Sequence, residues 1–265
     1  MDLPPVQQVT AQAKVQASAQ VSARALTRSG FILDLACERH DAAGFYQASC
    51  RFDVERYSPA LFTAAGILLP EEIAQAVPRR QAEFLAGRYL AGTLLAELRP
   101  RDRVVPAIGI GRHRNPLWPN GVIGSITHCG DEAACVLASA TQLRYLAIDR
   151  EHWMTPQVCE EVKPSILTAD EQLLTASSPL RPAQATTLIF SAKESLFKAL
   201  YPSVRCYFGF ECARLVSIEM DKRILLLQLR EDFARQYQLP RRHQVCFRVS
   251  VVGVESLVLG RADSR

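Results

Sequence analysis

Hydrophobic positions recur along this chain at two periods, which separate helices from strands. From Leu188 to Tyr201, Leu188, Ile189, Ala192, Leu196, Ala199 and Leu200 share one helical face, while Glu194 and Lys198 sit one turn apart on another. Lys193 projects at the edge of the apolar arc, between Leu200 and Phe197, where an ammonium needs a partner, an anion or a route to water. A second long helix is predicted to open at Pro78 and to stop at Leu98, before Pro100. Phe84, Ala91, Leu95 and Leu98 form its buried stripe. Arg88 falls inside that stripe, so it must be paired or bind an anion.

Shorter runs read as strands: Phe31 to Leu35, Ser49 to Val54, Val122 to Thr127, Ala133 to Ser139 and Leu146 to Glu151. Further strands are expected near 214–218, 224–229, 244–252 and 256–259, with a short helix from Glu231 to Tyr237 among them. Val245, Phe247, Val249 and Val251 alternate as one core-facing side. Arg112 to Pro119 reads as a loop, bracketed by Pro116 and Pro119 and surrounded by glycines. Thr168 and Glu171 form a capping box at the start of another helix. Strands and long helices recur in both halves, which predicts an α+β fold built from two similar α/β modules, residues 29–145 and 146–265. Residues 1–28, rich in Ala, Gln, Val and Ser, read as a tail, helical in part or disordered; a transit peptide is the competing reading.

Composition narrows the function classes. The 265 residues suffice for two modules, 48% of them are hydrophobic, and the net charge of +4 comes without any basic run, which gives no footprint for nucleic acid. Eight cysteines without a CxxC spacing read as reduced thiols of a cytoplasmic protein, not as a zinc site. No apolar run approaches the roughly 18 residues of a membrane span, and a secretory start is missing.

Candidate chemistry gathers in three places. On a strand from Leu146 to Glu151, Asp149 and Glu151 share one face about 7 Å apart, with Ile148 and Arg150 on the other. Two such carboxylates repel each other unless a cation sits between them, which suits Mg²⁺ or Mn²⁺ completed by substrate phosphates; two solvated acids at a strand end is the plainer alternative. Glu194 and Lys198 are at minimum a stabilising helical pair, contributing about 0.2–0.5 kcal/mol. Upstream lie Arg79, Arg80, Arg88, Arg112 and Arg114, and Thr127-His128 stands at a strand end where loops carry function. Carboxylates, lysines and arginines together describe a metal-dependent polyphosphate site, and the Gly-rich P-loop and kinase motifs are absent.

Gly124 to Asp131, Ala147 to Glu151 and Phe190 to Ala199 resemble the three ordered motifs of the 4′-phosphopantetheinyl transferases. Gln81 to Arg88 and Pro116 to Pro119 are similar to the branch that includes the enterobactin-synthase component and its pseudomonad relatives. The resemblance spans about Arg79 to Pro202. It implies transfer of the phosphopantetheine arm of coenzyme A to a serine of an apo acyl or peptidyl carrier protein, releasing 3′,5′-ADP. It also implies a monomer with a pseudo-twofold pair of modules and coenzyme A in the cleft between them. By motif, Asp149, Glu151 and Glu194 would hold Mg²⁺, and Lys198 and Lys193 would neutralise phosphate. Arg79, Arg80, Arg88, Arg112, Arg114, Thr127 and His128 would bind the cofactor phosphates, and Glu171 would act as base unless its capping role claims it. Two departures stand out: Ala147 where the family has Gly, and Arg150 where it buries an aliphatic side chain. Arg150 without a partner would weaken the strand. A coenzyme A or carrier-binding homologue without transferase activity, and a nucleotide pyrophosphohydrolase, are the alternatives.

Overall fold

The protein is described by a computed structural model covering residues 25–102 and 105–262. Most of the expected tail, residues 1–24, lies outside the described residues. Residues 25–28 are helical and Leu26 is fully buried in the first core, so the fold begins ahead of residue 29.

The first sheet is antiparallel, in the order β1-β2-β6-β5, from β1 (Ile32–His40), β2 (Phe45–Phe52), β5 (Val122–Cys129) and β6 (Glu132–Ser139). Between β2 and β5 come α1 (Ala60–Ala65), α2 (Glu71–Ala74), α3 (Pro78–Leu98), and the two-residue strands β3 (Gly109–Ile110) and β4 (Pro116–Leu117). The second sheet, in the order β7-β11-β10-β9-β8, is formed by β7 (Leu143–His152), β8 (Ala213–Glu219), β9 (Ile224–Leu229), β10 (Arg242–Val249) and β11 (Gly253–Arg261). Its helices are α4 (Pro156–Ile166), α5 (Ala169–Ala176), α6 (Pro182–Val204) and α7 (Glu231–Gln236). In each module one long helix lies across an antiparallel sheet, α3 on β2 and β6, α6 on β7 and β11. The architecture is thus a pseudo-twofold α+β pair.

Strand parity explains three cores. Ala133, Cys135 and Leu137 of β6 face α3, whereas Ala134, Val136 and Ala138 face the second module. There they meet Phe45, Leu143, Leu146 and Ile148 in a core between the modules. Ala147 faces α6 in the third cluster. The unbroken buried run of β6 follows from cores on both sides.

Several elements differ from expectation for physical reasons. β1 and β2 are longer than their apolar runs because charged residues such as Glu38, Arg39 and His40 occupy an edge strand, and the turn between them closes on Gly44 at φ 77°. The Arg112–Pro119 segment is a small hairpin, not a plain loop: Gly109 pairs with Leu117 and Ile110 with Pro116. Helix α4 carries a weak sequence signal because Pro164 lies inside it.

Gly124 on β5 allows a close strand approach. A methyl there would stand 2.2 Å from the Val136 carbonyl oxygen and 2.4 Å from Leu137 Cδ2. Gly124→Ala is therefore expected to cost about 1–3 kcal/mol, read from the urea midpoint; an unchanged midpoint would show that β5 relaxes freely.

Candidate active site at the seam between the modules

β5 and β7 run side by side, each an edge strand of its own sheet. Ser125 Oγ donates to the Ile148 carbonyl at 3.1 Å, and the Arg150 N–H donates to Thr127 Oγ1 at 3.2 Å. Ser125 is thus level with Ile148 and Thr127 with Arg150, so the strands are parallel and hydroxyls do the joining.

Strand parity places Asp149 and Glu151 on the α6 side, as expected, and α6 brings Glu194 and Lys198 to them. Lys198 Nζ lies 2.5 Å from Asp149 Oδ1 and 3.4 Å from Thr127 Oγ1, which itself donates to Asp149 Oδ1 at 3.3 Å. Asp149 is 2% exposed, and its Oδ2 is buried without a hydrogen-bond partner. Burial, then the charges of Asp149 and Glu194, push the Glu151 carboxyl up to about 7 against the opposing pull of Lys198. Glu194 is also raised, by burial first and by Asp149, with Lys198 acting against them.

The like charges of these three acids are only partly offset by Lys198. Among the described residues no three metal-ligating side chains are drawn together into a finished cage. The donor set is all carboxylate oxygen, which suits a hard divalent cation such as Mg²⁺. A buried orphan oxygen and two carboxyls that resist ionisation are what such an ion would relieve, so the residues fit it.

Across the seam, the start of α3 supplies the basic half. Arg80 Nη1 lies 2.7 Å from His128 Nε2 and 3.2 Å from Glu83 Oε2, and His128 Nδ1 is 3.5 Å from the same Glu83 oxygen. A guanidinium only donates, so Nε2 accepts and the ring proton sits on Nδ1, facing Glu83. The neutral ring agrees with a lowered pKa, caused first by burial, with Arg80 and Lys198 adding to it and Glu83 opposing. Arg79 donates to the Gly130 carbonyl at 3.0 Å and pairs with Glu83 at 3.6 Å. Glu83 was not singled out from the sequence, although its i+3 and i+4 spacing from Arg80 and Arg79 was the available signal.

Three expected site residues are spent elsewhere. Lys193 and Glu171 form a buried ion pair at 2.9 Å, 2% and 1% exposed at the side chain. Lys193 also donates to the Ile166 carbonyl at 2.7 Å, and Glu171 accepts from the backbone N–H groups of Thr168 and Leu215. The capping box at Thr168 is present. Glu171 and Lys193, expected as base and phosphate ligand, thus satisfy each other and nearby backbone groups within the fold. Arg88, buried over the Phe84 ring at 4.5 Å, donates to the Ile108 and Gly109 carbonyls at 3.2 Å each. It therefore anchors the β3–β4 hairpin, whose Arg112 and Arg114 are exposed and whose His113 meets Tyr201 of α6 edge-on at 5.6 Å.

The departure at Arg150 is resolved by two partners, Glu132 Oε2 at 3.0 Å and Glu255 Oε2 at 2.5 Å. A separate groove lined by Ser165, Cys206, Tyr207, Phe208, Glu211 and Tyr237 gathers none of these convergent charges, so chemistry rather than size locates the site. All eight cysteines are free, and no described helix is long and apolar enough to cross a membrane.

Two family models match the chain: the 4′-phosphopantetheinyl transferase N-terminal domain over residues 69–138, and the 4′-phosphopantetheinyl transferase superfamily over residues 145–250. Enterobactin synthase component D of Escherichia coli (strain K12) is 34% identical over 186 residues, 69% of this chain and 85% of that protein. The corresponding protein of Salmonella typhi is 40% identical over 140 residues, 53% of this chain and 56% of that protein. The 4′-phosphopantetheinyl transferase Npt of Nocardia iowensis is 37% identical over 145 residues, 54% of this chain and 62% of that protein. The chain thus spans less than two thirds of the length of the Salmonella and Nocardia relatives it matches.

Two outcomes follow from this geometry. The folded pKa of Glu151 lies above its ordinary 4.5, so the stability tied to its protonated form is complete below about 4.5 and is lost as the pH rises through about 7. In divalent-free buffer the urea midpoint should carry this falling contribution across that window, and Glu151→Gln should flatten the slope; an identical slope in the variant would remove Glu151 from the linkage. Glu171→Ala leaves Lys193 buried and unpaired, which should destabilise by about 3–5 kcal/mol. A catalytic base would instead lower kcat and leave the melting temperature in place.

Proposed function

The chain belongs to the 4′-phosphopantetheinyl transferase superfamily, and from that premise we propose that it transfers the phosphopantetheine arm of coenzyme A to a serine of an apo carrier protein. The new P–O bond forms to the serine oxygen as the bond to the adenosine-side bridging oxygen breaks. 3′,5′-ADP leaves, and the serine proton is lost to water. The observation that carries this proposal is the buried orphan oxygen of Asp149, an acid whose charge acts on Glu151 and Glu194 on its own side and on His128 across the seam.

Asp149, Glu151 and Glu194 would hold Mg²⁺, which when bound offsets diphosphate charge. Lys198 adds a compact positive charge from α6, at the point where the bridging oxygen that leaves on the 5′-phosphate of 3′,5′-ADP becomes more negative. Arg80 and Arg79 enter from α3, with His128 neutral between Arg80 and Glu83 as a hydrogen-bonding group. Arg112 and Arg114, exposed on the hairpin that Arg88 anchors, face incoming anions without burial. Glu171 takes no part in proton removal, because its oxygens already accept from Thr168, Lys193 and Leu215. The protein would act as a cytoplasmic monomer.

Incubation with coenzyme A, Mg²⁺ and apo carrier proteins of the fatty-acid, polyketide and peptide-synthetase types is the direct test. A carrier mass gain equal to the arm is expected for at least one of them, and Glu194→Gln should abolish it. Coenzyme A binding without any carrier mass gain would replace the transferase with a binding module, and full activity in Glu194→Gln would remove Glu194 from the metal site.

A further inference from the structure

The site is split between two modules: Asp149, Glu151, Glu194 and Lys198 come from the second, Arg79, Arg80 and His128 from the first. The relative placement of the modules is therefore part of the active geometry. On the α6 side the junction consists of the Ser125 and Thr127 hydroxyls. On the opposite side the inter-module core ends in a polar crown that no motif predicts.

Arg150 stands at its centre. Its guanidinium spans Glu132 of β6 at 3.0 Å and Glu255 of β11 at 2.5 Å. Glu255 also accepts from Gln47 Nε2 of β2 at 3.2 Å. The Arg150 side chain is 19% exposed, Glu255 13% and Glu132 28%. Four side chains from four strands thus join both modules, and the middle one lies between Asp149 and Glu151 in sequence. Gln47, Glu132 and Glu255 share the face of Phe45, Ala134 and Leu257, so the crown continues the inter-module core outward.

An arginine suits this place better than the aliphatic residue that the family resemblance would put there. Its planar fork satisfies two carboxylates from different modules at fixed angles, whereas an apolar side chain sets distance with little orientation. Partial burial keeps salt from screening the pairs away. The same residue also fixes the strand through its backbone, since its N–H donates to Thr127.

We propose that Arg150 is a positioning residue: with Glu132, Glu255 and Gln47 it locks the two modules and thereby sets the metal-strand carboxylates against the basic half of the site. The part that concerns catalysis rests on the transfer reaction proposed above.

Arg150→Met alone leaves two carboxylates facing each other, so the informative variant is Arg150→Met with Glu132→Gln and Glu255→Gln, which removes every charge of the crown together. Hydrogen exchange of the peptides covering 122–131 and 145–152 reads the seam, and exchange within α3 and α6 serves as the internal control. In the triple variant the seam amides should exchange faster while the helices stay protected, and kcat at saturating coenzyme A should fall on the order of tenfold or more. Arg150→Lys, which keeps one of the two ion pairs, should recover part of both. Unchanged seam exchange, or faster exchange with wild-type kcat, overturns the positioning role, the second result leaving a purely structural lock. Should the wild-type chain transfer nothing, the reaction fails on its own, and seam exchange still decides the lock.

Discussion

Two side-chain hydroxyls carry the junction on which the site depends. β5 and β7 are edge strands, and bare edges would leave a row of unpaired backbone groups inside the molecule. Ser125 answers the Ile148 carbonyl, and Thr127 answers the Arg150 N–H while touching Asp149 and Lys198. A hydroxyl can donate and accept at once, so a single atom of Thr127 ties the strand backbone, a carboxylate and an ammonium together. A continuous ladder would join the modules through backbone groups alone, with no hydroxyl shared between strand, carboxylate and ammonium. Joining by hydroxyls makes the seam and the site one structure.

The two halves that meet there are balanced differently. Glu83 serves Arg79, Arg80 and His128 together, so the basic half arrives already partly neutralised and its histidine stays uncharged. The acidic half has Lys198 close to Asp149, while Glu151 and Glu194 answer burial by holding their protons more tightly. Separate halves of this kind suit a ligand that brings both signs, an anionic diphosphate together with its cation. Either alone would improve one half and leave the other as it stands.

Much of the fold was legible because it rests on local period. The limits of α3, the capping box at Thr168 and the opposite faces of Asp149 and Arg150 all follow from residues within a few positions of one another. The fates of the buried cations were not legible, because their partners are distant in sequence. Glu255 lies 105 residues from Arg150 and Glu171 lies 22 from Lys193, while Arg88 meets carbonyls 20 and 21 residues on. Helical projection correctly demanded a partner for Lys193 and Arg88. It carries no information on whether that partner belongs to the protein or to a ligand.

Lys193 and Lys198 show what separates the two cases. Five residues apart on one helix, they point about 140° from each other, and each ends on a carboxylate that is at most 3% exposed. Burial and ion pairing therefore fail to distinguish them. The difference lies in the rest of each carboxylate: Glu171 has backbone donors on both oxygens, whereas Asp149 keeps one oxygen buried and unanswered. A closed pair of the first kind holds three segments together and has nothing further to bind. An open one leaves a desolvated acceptor in the fold at a cost of about 1–3 kcal/mol, which an ion or a water at that oxygen would relieve. The Glu194–Lys198 face of α6 thus borders the open carboxylate, and the adjacent Lys193 the closed one.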